Sequence, residues 1–211
     1  MQIFFLDRLA PPYAWLSESE SHHCRKVLRH QPGDHLTTVD GKGNMYLAEL
    51  LPESGKAAKL QLLEHHPAWG EHGKTLHLAV SPLRLKDRFE WLIEKAVELG
   101  ATDISPIACA RTDPYKSKFK VARLEKLILT AMKQCKRSLL PRLHPMVPFQ
   151  DWLTTHESLP TYLAWCEADA HLKTAFPSLA KQTELALMIG PEGDFSPEEI
   201  EVAQRHSPGP P

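Results

Sequence analysis

The run Leu185-Ala-Leu-Met-Ile-Gly-Pro-Glu-Gly-Asp-Phe-Ser-Pro-Glu-Glu-Ile200 constrains this chain more than any other. Its apolar start reads as a buried strand that breaks at Gly190-Pro191-Glu192-Gly193. A helix is announced at once, with Ser196 as N-cap, Pro197 at the first helical position and Glu199 closing a capping box. Open α/β sheets place ligands at glycine-cornered turns where a strand end meets a helix N-terminus. A plain strand-to-helix turn satisfies the same pattern, so the turn alone leaves both readings open.

The chain upstream falls into two styles. Residues 2–6, 35–39, 45–51 and 57–63 are β-branched, aromatic or alternating apolar runs that predict strands, and 18–29 predicts a short helix. Asp40-Gly-Lys-Gly43 and Gln31-Pro-Gly-Asp34 supply turns. Short strands at this spacing predict a small barrel. Pro67-Ala-Trp-Gly-Glu-His-Gly73 reads as a linker, dividing the chain into domains 1–72 and 73–211. Beyond it, strands over 75–81, 103–109, 161–166 and 185–189 are interspersed with helices over 88–99 and 121–136. That spacing predicts an α/β domain with a parallel sheet and right-handed crossovers. The end, Ser207-Pro-Gly-Pro-Pro211, is of low complexity.

The formal net charge of −1 hides an asymmetry. Residues 1–74 carry 8 Lys/Arg against 9 Asp/Glu, residues 75–150 carry 14 against 7, and residues 151–211 carry 3 against 10. The middle third is therefore +7, much of it within 111–142. Such a segment suits a polyanion through counterion release, and a solvated helix face carries the same signature. No apolar run approaches the roughly 18 residues of a membrane span, and the N-terminus lacks a signal-peptide pattern. Cys24, Cys109, Cys135 and Cys166 form no Cys-x-x-Cys pair, which fits free thiols in the cytoplasm.

Several chemistries are disfavoured. His22-His23-Cys24 and His65-His66 complete no zinc spacing, so no metal site is expected. A serine hydrolase would need a Gly-x-Ser-x-Gly elbow, which is absent. Glu90, Glu94 and Glu98 with Lys86 and Lys95 read as a salt-bridged helix face. At the glycine turn, Glu192 and Asp194 would repel the phosphates that dinucleotide and P-loop motifs bind. A cofactor with a cationic centre and no phosphate fits better, and the sulfonium of S-adenosylmethionine is such a centre.

Four segments acquire more meaning together. They are His23-Cys-Arg-Lys-Val-Leu-Arg29 with Gly33-Asp34 and Asp40-Gly-Lys-Gly43, and Ala79-Val-Ser-Pro-Leu-Arg-Leu-Lys86 with Glu94-Lys-Ala-Val-Glu-Leu-Gly100. Lys133-Gln-Cys-Lys-Arg137 with Pro141, and Ile189-Gly-Pro-Glu-Gly-Asp-Phe-Ser196, complete the set. In this order and spacing they resemble the RsmE family, SPOUT-class methyltransferases of uracil N3 in small-subunit (16S) ribosomal RNA. The resemblance implies an N-terminal PUA-like β-barrel that helps grip RNA, and a SPOUT-type α/β domain with a trefoil knot whose loops bind S-adenosylmethionine. It also implies a homodimer acting on small-subunit ribosomal RNA or the assembled subunit. Met188, Gly190, Pro191, Glu192 and Gly193, with Trp165, would line the cofactor. Arg25, Lys26, Arg29, Lys86, Arg111, Lys133 and Arg137 would face RNA. Arg111 and Arg137 are the candidates for stabilising a uracil anion as N3 attacks the methyl group, and no general base is named.

Two departures shape the expectation. Asp194 stands where the family pattern Gly-Pro-Glu-Gly-Gly-Phe has its second glycine, which would alter the helix entry. The family pattern then continues into a motif resembling Leu-Gly-x-Arg-Ile-Leu-Arg-Thr-Glu-Thr-Ala, whereas here Glu201-Val-Ala-Gln-Arg-His206 leads to the end. An incomplete, C-terminally truncated knot is therefore expected. The alternatives to an active enzyme are a catalytically dead RNA-binding fragment and a dimerisation fragment without ligand.

Overall fold

The computed structural model describes residues 2–52, 55–114, 118–167 and 181–206; the low-complexity end lies outside them. The chain forms two compact units, one of Met1–His72 with Leu129–Leu140, the other of Gly73–Ile128 with the chain from Pro141 onward.

In the first unit β1 (Ile3–Ala10), β2 (Tyr13–Leu16), β3 (His35–Val39), β4 (Asn44–Leu50) and β5 (Lys59–Pro67) close a barrel in the order β1-β2-β5-β4-β3. The closing β1–β3 pair is parallel and the rest are antiparallel. Period-two alternation supplies the core, with Phe4, Leu6, Ala14, Leu16, Leu36, Ala48, Leu50 and Leu60 buried together. The helix expected over 18–29 is shorter. α1 (Glu18–His22) starts at Ser17, whose hydroxyl accepts from the Glu20 N–H at 3.2 Å, and His23–Val27 then widens into a π turn. That turn buries Cys24 in the barrel core, where burial pushes its thiol up to about 11. Arg29, at φ +59°, ends it.

The segment expected as a linker is a clasp. Gly70 sits at φ +74° with Lys136 O only 2.5 Å from where a Cβ would be, so a side chain there is excluded. Glu71 then accepts four hydrogen bonds, from Arg137 Nε (3.1 Å) and Nη2 (2.8 Å) and from the backbone N–H groups of Ser138 and Leu139 (both 2.9 Å). Ser138 Oγ donates to the Trp69 carbonyl. Residues 138–140 also bond to the β3–β4 turn, with Gly43 N–H on Ser138 O at 3.1 Å and Leu140 N–H on Gly41 O at 2.9 Å. Nearby Lys133 Nζ lies 2.6 Å from Glu20 Oε1.

The second unit holds β6 (Thr75–Val80), α2 (Lys86–Glu98), β7 (Asp103–Ala108), β8 (Arg142–Leu143), β9 (Val147–Pro148), α4 (Phe149–Thr155), β10 (Thr161–Ala164), β11 (Glu184–Ile189) and α5 (Pro197–His206). The division between the units falls within α3 (Val121–Gln134). The sheet is parallel throughout, in the order β10-β11-β6-β7-β8, with β9 pairing further along β7. Phe89, Ile93 and Val97 form the buried stripe of α2. A second core gathers Ala79, Ile107, Phe149, Trp152, Ala186, Met188 and Phe195. Barrel followed by parallel α/β domain is the expected architecture; β2, β8, β9 and α4 are elements that periodicity did not predict.

At the start of the sheet, His77 is buried with Nε2 2.8 Å from Ser105 Oγ. It stacks on His144 (5.2 Å) and meets Trp152 and His156 edge-on (5.2 and 4.9 Å). Burial lowers its pKa to about 4; Asp103 opposes this, and His156 and His144 add to it.

Two predictions follow from these contacts. Glu71→Ala removes the carboxylate that grips a 4% exposed arginine and should cost about 3–5 kcal/mol, read as a drop in the urea midpoint at constant slope. Because His77 binds its proton more weakly folded than unfolded, the unfolded chain takes up more protons between pH 6.5 and about 4. Stability should therefore fall through that window by about 3 kcal/mol as pH drops. His77→Gln should flatten the slope in urea titrations at pH 7 and 4.5.

Candidate functional site at the strand carboxyl ends

β11 pairs with β6 from Glu184↔Thr75 to Ile189↔Val80, so the two strands end side by side. Ser81 N–H on Ile189 O at 2.9 Å extends the pairing by one residue. From β6 the chain runs outward to β7 and β8, then returns to fill β10 and β11 on the other flank. The carboxyl ends of β6 and β11 thus meet at a switch point, where open α/β sheets bind ligands.

The turn after β11 is shaped by close packing. A Cβ on Gly190 would lie 3.1 Å from the Phe195 ring and 3.3 Å from Phe195 N, while Phe195 is 2% exposed in the core against Phe149. Asp194 N–H closes the turn on Pro191 O at 2.9 Å. The capping box is present: Glu199 N–H donates to Ser196 Oγ (3.3 Å), and Ser196 N–H to Glu199 Oε2 (2.9 Å).

Three carboxylates of this short stretch each accept a backbone N–H from the segment that follows a different strand. Glu192 Oε1 accepts from Arg84 after β6 (2.7 Å), and Glu199 Oε1 from Ala110 after β7 (2.7 Å). Asp194 Oδ2 accepts from Cys166 after β10 (2.9 Å). Burial opposes ionisation of Asp194, but N–H groups of Cys166 and Phe195, the Cys166 thiol and Arg111 outweigh it and lower its pKa. Arg111 Nη1 donates to Gly193 O at 2.6 Å, bringing a guanidinium onto the turn. Beneath lies a satisfied hydroxyl pair, Ser81 Oγ 2.7 Å from Thr112 Oγ1, which also accepts from Cys109 N–H at 2.8 Å. Burial pushes the Cys109 thiol up to about 12, so it is no nucleophile at neutral pH.

Gly190, Pro191, Glu192 and Gly193 therefore make one corner, with Arg111 against it. Met188 is fully buried, its side chain committed to the core. Trp165 packs partly on that core, and its Nε1 is buried without a hydrogen-bond partner among the described residues. Lys86 is exposed at the first residue of α2. The remaining expected residues belong to the barrel-containing unit. Arg25 donates from Nη1 to Gly55 O at 3.1 Å, and Lys26 and Arg29 are exposed. Lys133 is held by Glu20, and Arg137 is 4% exposed with its guanidinium on Glu71, which withholds it from a ligand. Sequence reasoning missed the N–H groups of Arg84, Ala110 and Cys166, since main-chain donors leave no residue signature; Glu199 was legible only as a cap.

Among the described residues no group of three or more His, Cys, Asp or Glu could hold a metal ion, and no helix is long and apolar enough to cross a membrane. Ribosomal RNA small subunit methyltransferase E of Bacillus subtilis is 28% identical over 205 residues, covering 91% of this chain and 78% of that protein. The enzyme of the same name from Neisseria gonorrhoeae, solved bound to S-adenosylmethionine, superposes with a TM-score of 0.82 over 98% of this chain and 86% of its own, at 23% identity, a likeness of fold. A Legionella pneumophila protein solved with the same cofactor gives 0.79 at 25% identity, covering 97% and 85%. Residues 16–63 match the RNA methyltransferase PUA domain. Residues 71–208, which include the whole corner, match the RNA methyltransferase domain, and the chain belongs to that family.

Proposed function

We propose that this chain transfers a methyl group from S-adenosylmethionine to N3 of a uracil in 16S ribosomal RNA. Family membership, the activity carried in the names of its relatives and the cofactor bound by the Legionella pneumophila protein support the reading. The observation that carries it is the corner itself, a glycine turn at a switch point, rimmed by carboxylates and touched by one arginine.

The donor set fits this cofactor. Glu192 and Asp194 offer negative charge to a cation, and Trp165 Nε1 has no hydrogen-bond partner among the described residues. When bound, the cofactor supplies a methyl group on positive sulfur, which uracil N3 takes as the sulfur–carbon bond breaks and the N3 proton is lost to water. The protein's part is alignment: the backbone of Gly190–Gly193 would hold the donor, and Phe195 keeps that turn in place. Arg111, fixed on Gly193 O, is placed to stabilise the uracil anion. A base reaches such a corner only when turned out of its stack. The resemblance also carries a homodimer and a cytoplasmic location, the latter in keeping with four cysteines that form no disulfide.

Calorimetry with S-adenosylmethionine, followed by transfer of labelled methyl to 16S RNA and small subunits, tests the reading. A methyl at N3 blocks the Watson–Crick edge and should stop reverse transcription at a uridine. RNA binding without cofactor heat would replace the enzyme reading with that of an RNA-binding fragment. Arg111→Ala should slow single-turnover transfer roughly 10²-fold while changing cofactor affinity less than tenfold. Gly190→Ala should cost about 1–3 kcal/mol through the clash with Phe195, lowering melting temperature and cofactor affinity together.

A further inference from the structure

A cleft of about 480 Å³ opens in the second unit between the start of α2 and the segment leading into α3. That volume is in the range of small-ligand sites. Lys86 stands on one wall, and Lys118 and Lys120 on the other. Two further charges there cancel, because Arg123 grips Glu90 at two points, Nε to Oε1 at 2.5 Å and Nη2 to Oε2 at 2.7 Å. Asp87 is the remaining acid among the lining residues, set against Lys86 and Lys120. Phe119 also lines the cleft, backed by the buried Phe89 with ring centroids 5.6 Å apart. The lip at Leu83 adjoins Arg84, whose N–H bonds Glu192 of the glycine corner.

Cations beside a supported aromatic ring are the elements of single-strand recognition: lysines hold phosphates, and a base lies on the ring whatever its identity. We propose that this cleft binds a ribonucleotide of the substrate strand, its phosphate held by Lys86 and Lys120 and its base on Phe119. The proposal rests on the methyl-transfer reading and adds to it a nucleotide subsite one loop from the corner.

The test is fluorescence anisotropy of a labelled single-stranded 16S oligonucleotide at several salt concentrations. It compares the full chain with Lys86→Ala/Lys120→Ala and Phe119→Leu, and calorimetry with S-adenosylmethionine follows each variant. Losing two phosphate contacts should reduce the slope of log affinity against log salt by about 1.4. Phe119→Leu keeps an apolar side chain over Phe89 and should weaken RNA binding about tenfold with the slope unchanged. Cofactor affinity should be unchanged in both. Wild-type RNA affinity and slope in both variants, with cofactor bound normally, would overturn the cleft and leave the methyl-transfer reading standing. A variant that loses cofactor and RNA together assigns its residues to the fold and counts against the cleft. If the unaltered chain binds neither, both proposals fall.

Discussion

β11 enters the sheet between β10 and β6, and its six residues hold one register with β6 from Glu184↔Thr75 to Ile189↔Val80. A slip of one residue would turn Ala186 and Met188, both fully buried, away from the core. It would also draw Gly190 off the Phe195 ring and the three carboxylates off their N–H partners. The corner therefore inherits its geometry from core packing. The backbone of the turn is placed by residues buried in the core.

The acids of the corner have a structural role that their composition did not suggest. Glu192, Asp194 and Glu199 tie the segments after β6, β10 and β7 to one turn. Asp194 shows how a departure from a family pattern is absorbed. Its φ of +62° is the left-handed conformation that glycine adopts freely and aspartate tolerates. Its side chain then gains hydrogen bonds from Cys166 and Phe195, which a glycine cannot accept.

Barrel, parallel sheet and capping box were legible because each rests on local periodicity or local turn chemistry. β3 spans the residues that alternation indicated, and Ser196 with Glu199 caps α5 as their spacing implied. What escaped depends on partners distant in sequence. Lys133 and Arg137 belong to a basic run that reads as an RNA-facing stripe, yet they pair with Glu20 and Glu71, 113 and 66 residues away. The stretch 67–73 has a linker's composition, and only Arg137 and the 138–139 backbone turn it into a clasp. β2 has four residues, too few after Pro11-Pro12 for an alternation signal. The π turn at His23–Val27 keeps helical composition while departing from helical register.

Charge in the second unit is sorted by place, and that sorting bears on how RNA could approach. Accepting an N–H organises a carboxylate without cancelling its charge, and the lowered pKa of Asp194 keeps it ionised at neutral pH. A phosphate at the corner would meet Glu192, Asp194 and Glu199 with Arg111 as counterweight, whereas a sulfonium would be attracted there. The cleft has the opposite balance, Lys86 and Lys120 against Asp87 once Arg123 and Glu90 are paired. On these charges the proposed substrate strand would be drawn toward the lysines by its backbone and repelled from the corner by the same phosphates. What can enter the corner without that cost is the uncharged part of a nucleotide, its base. Under the proposed reading, loss of the methyl group leaves a neutral sulfur, so the attraction of the carboxylates for the sulfonium would act on the donor and be absent for the product.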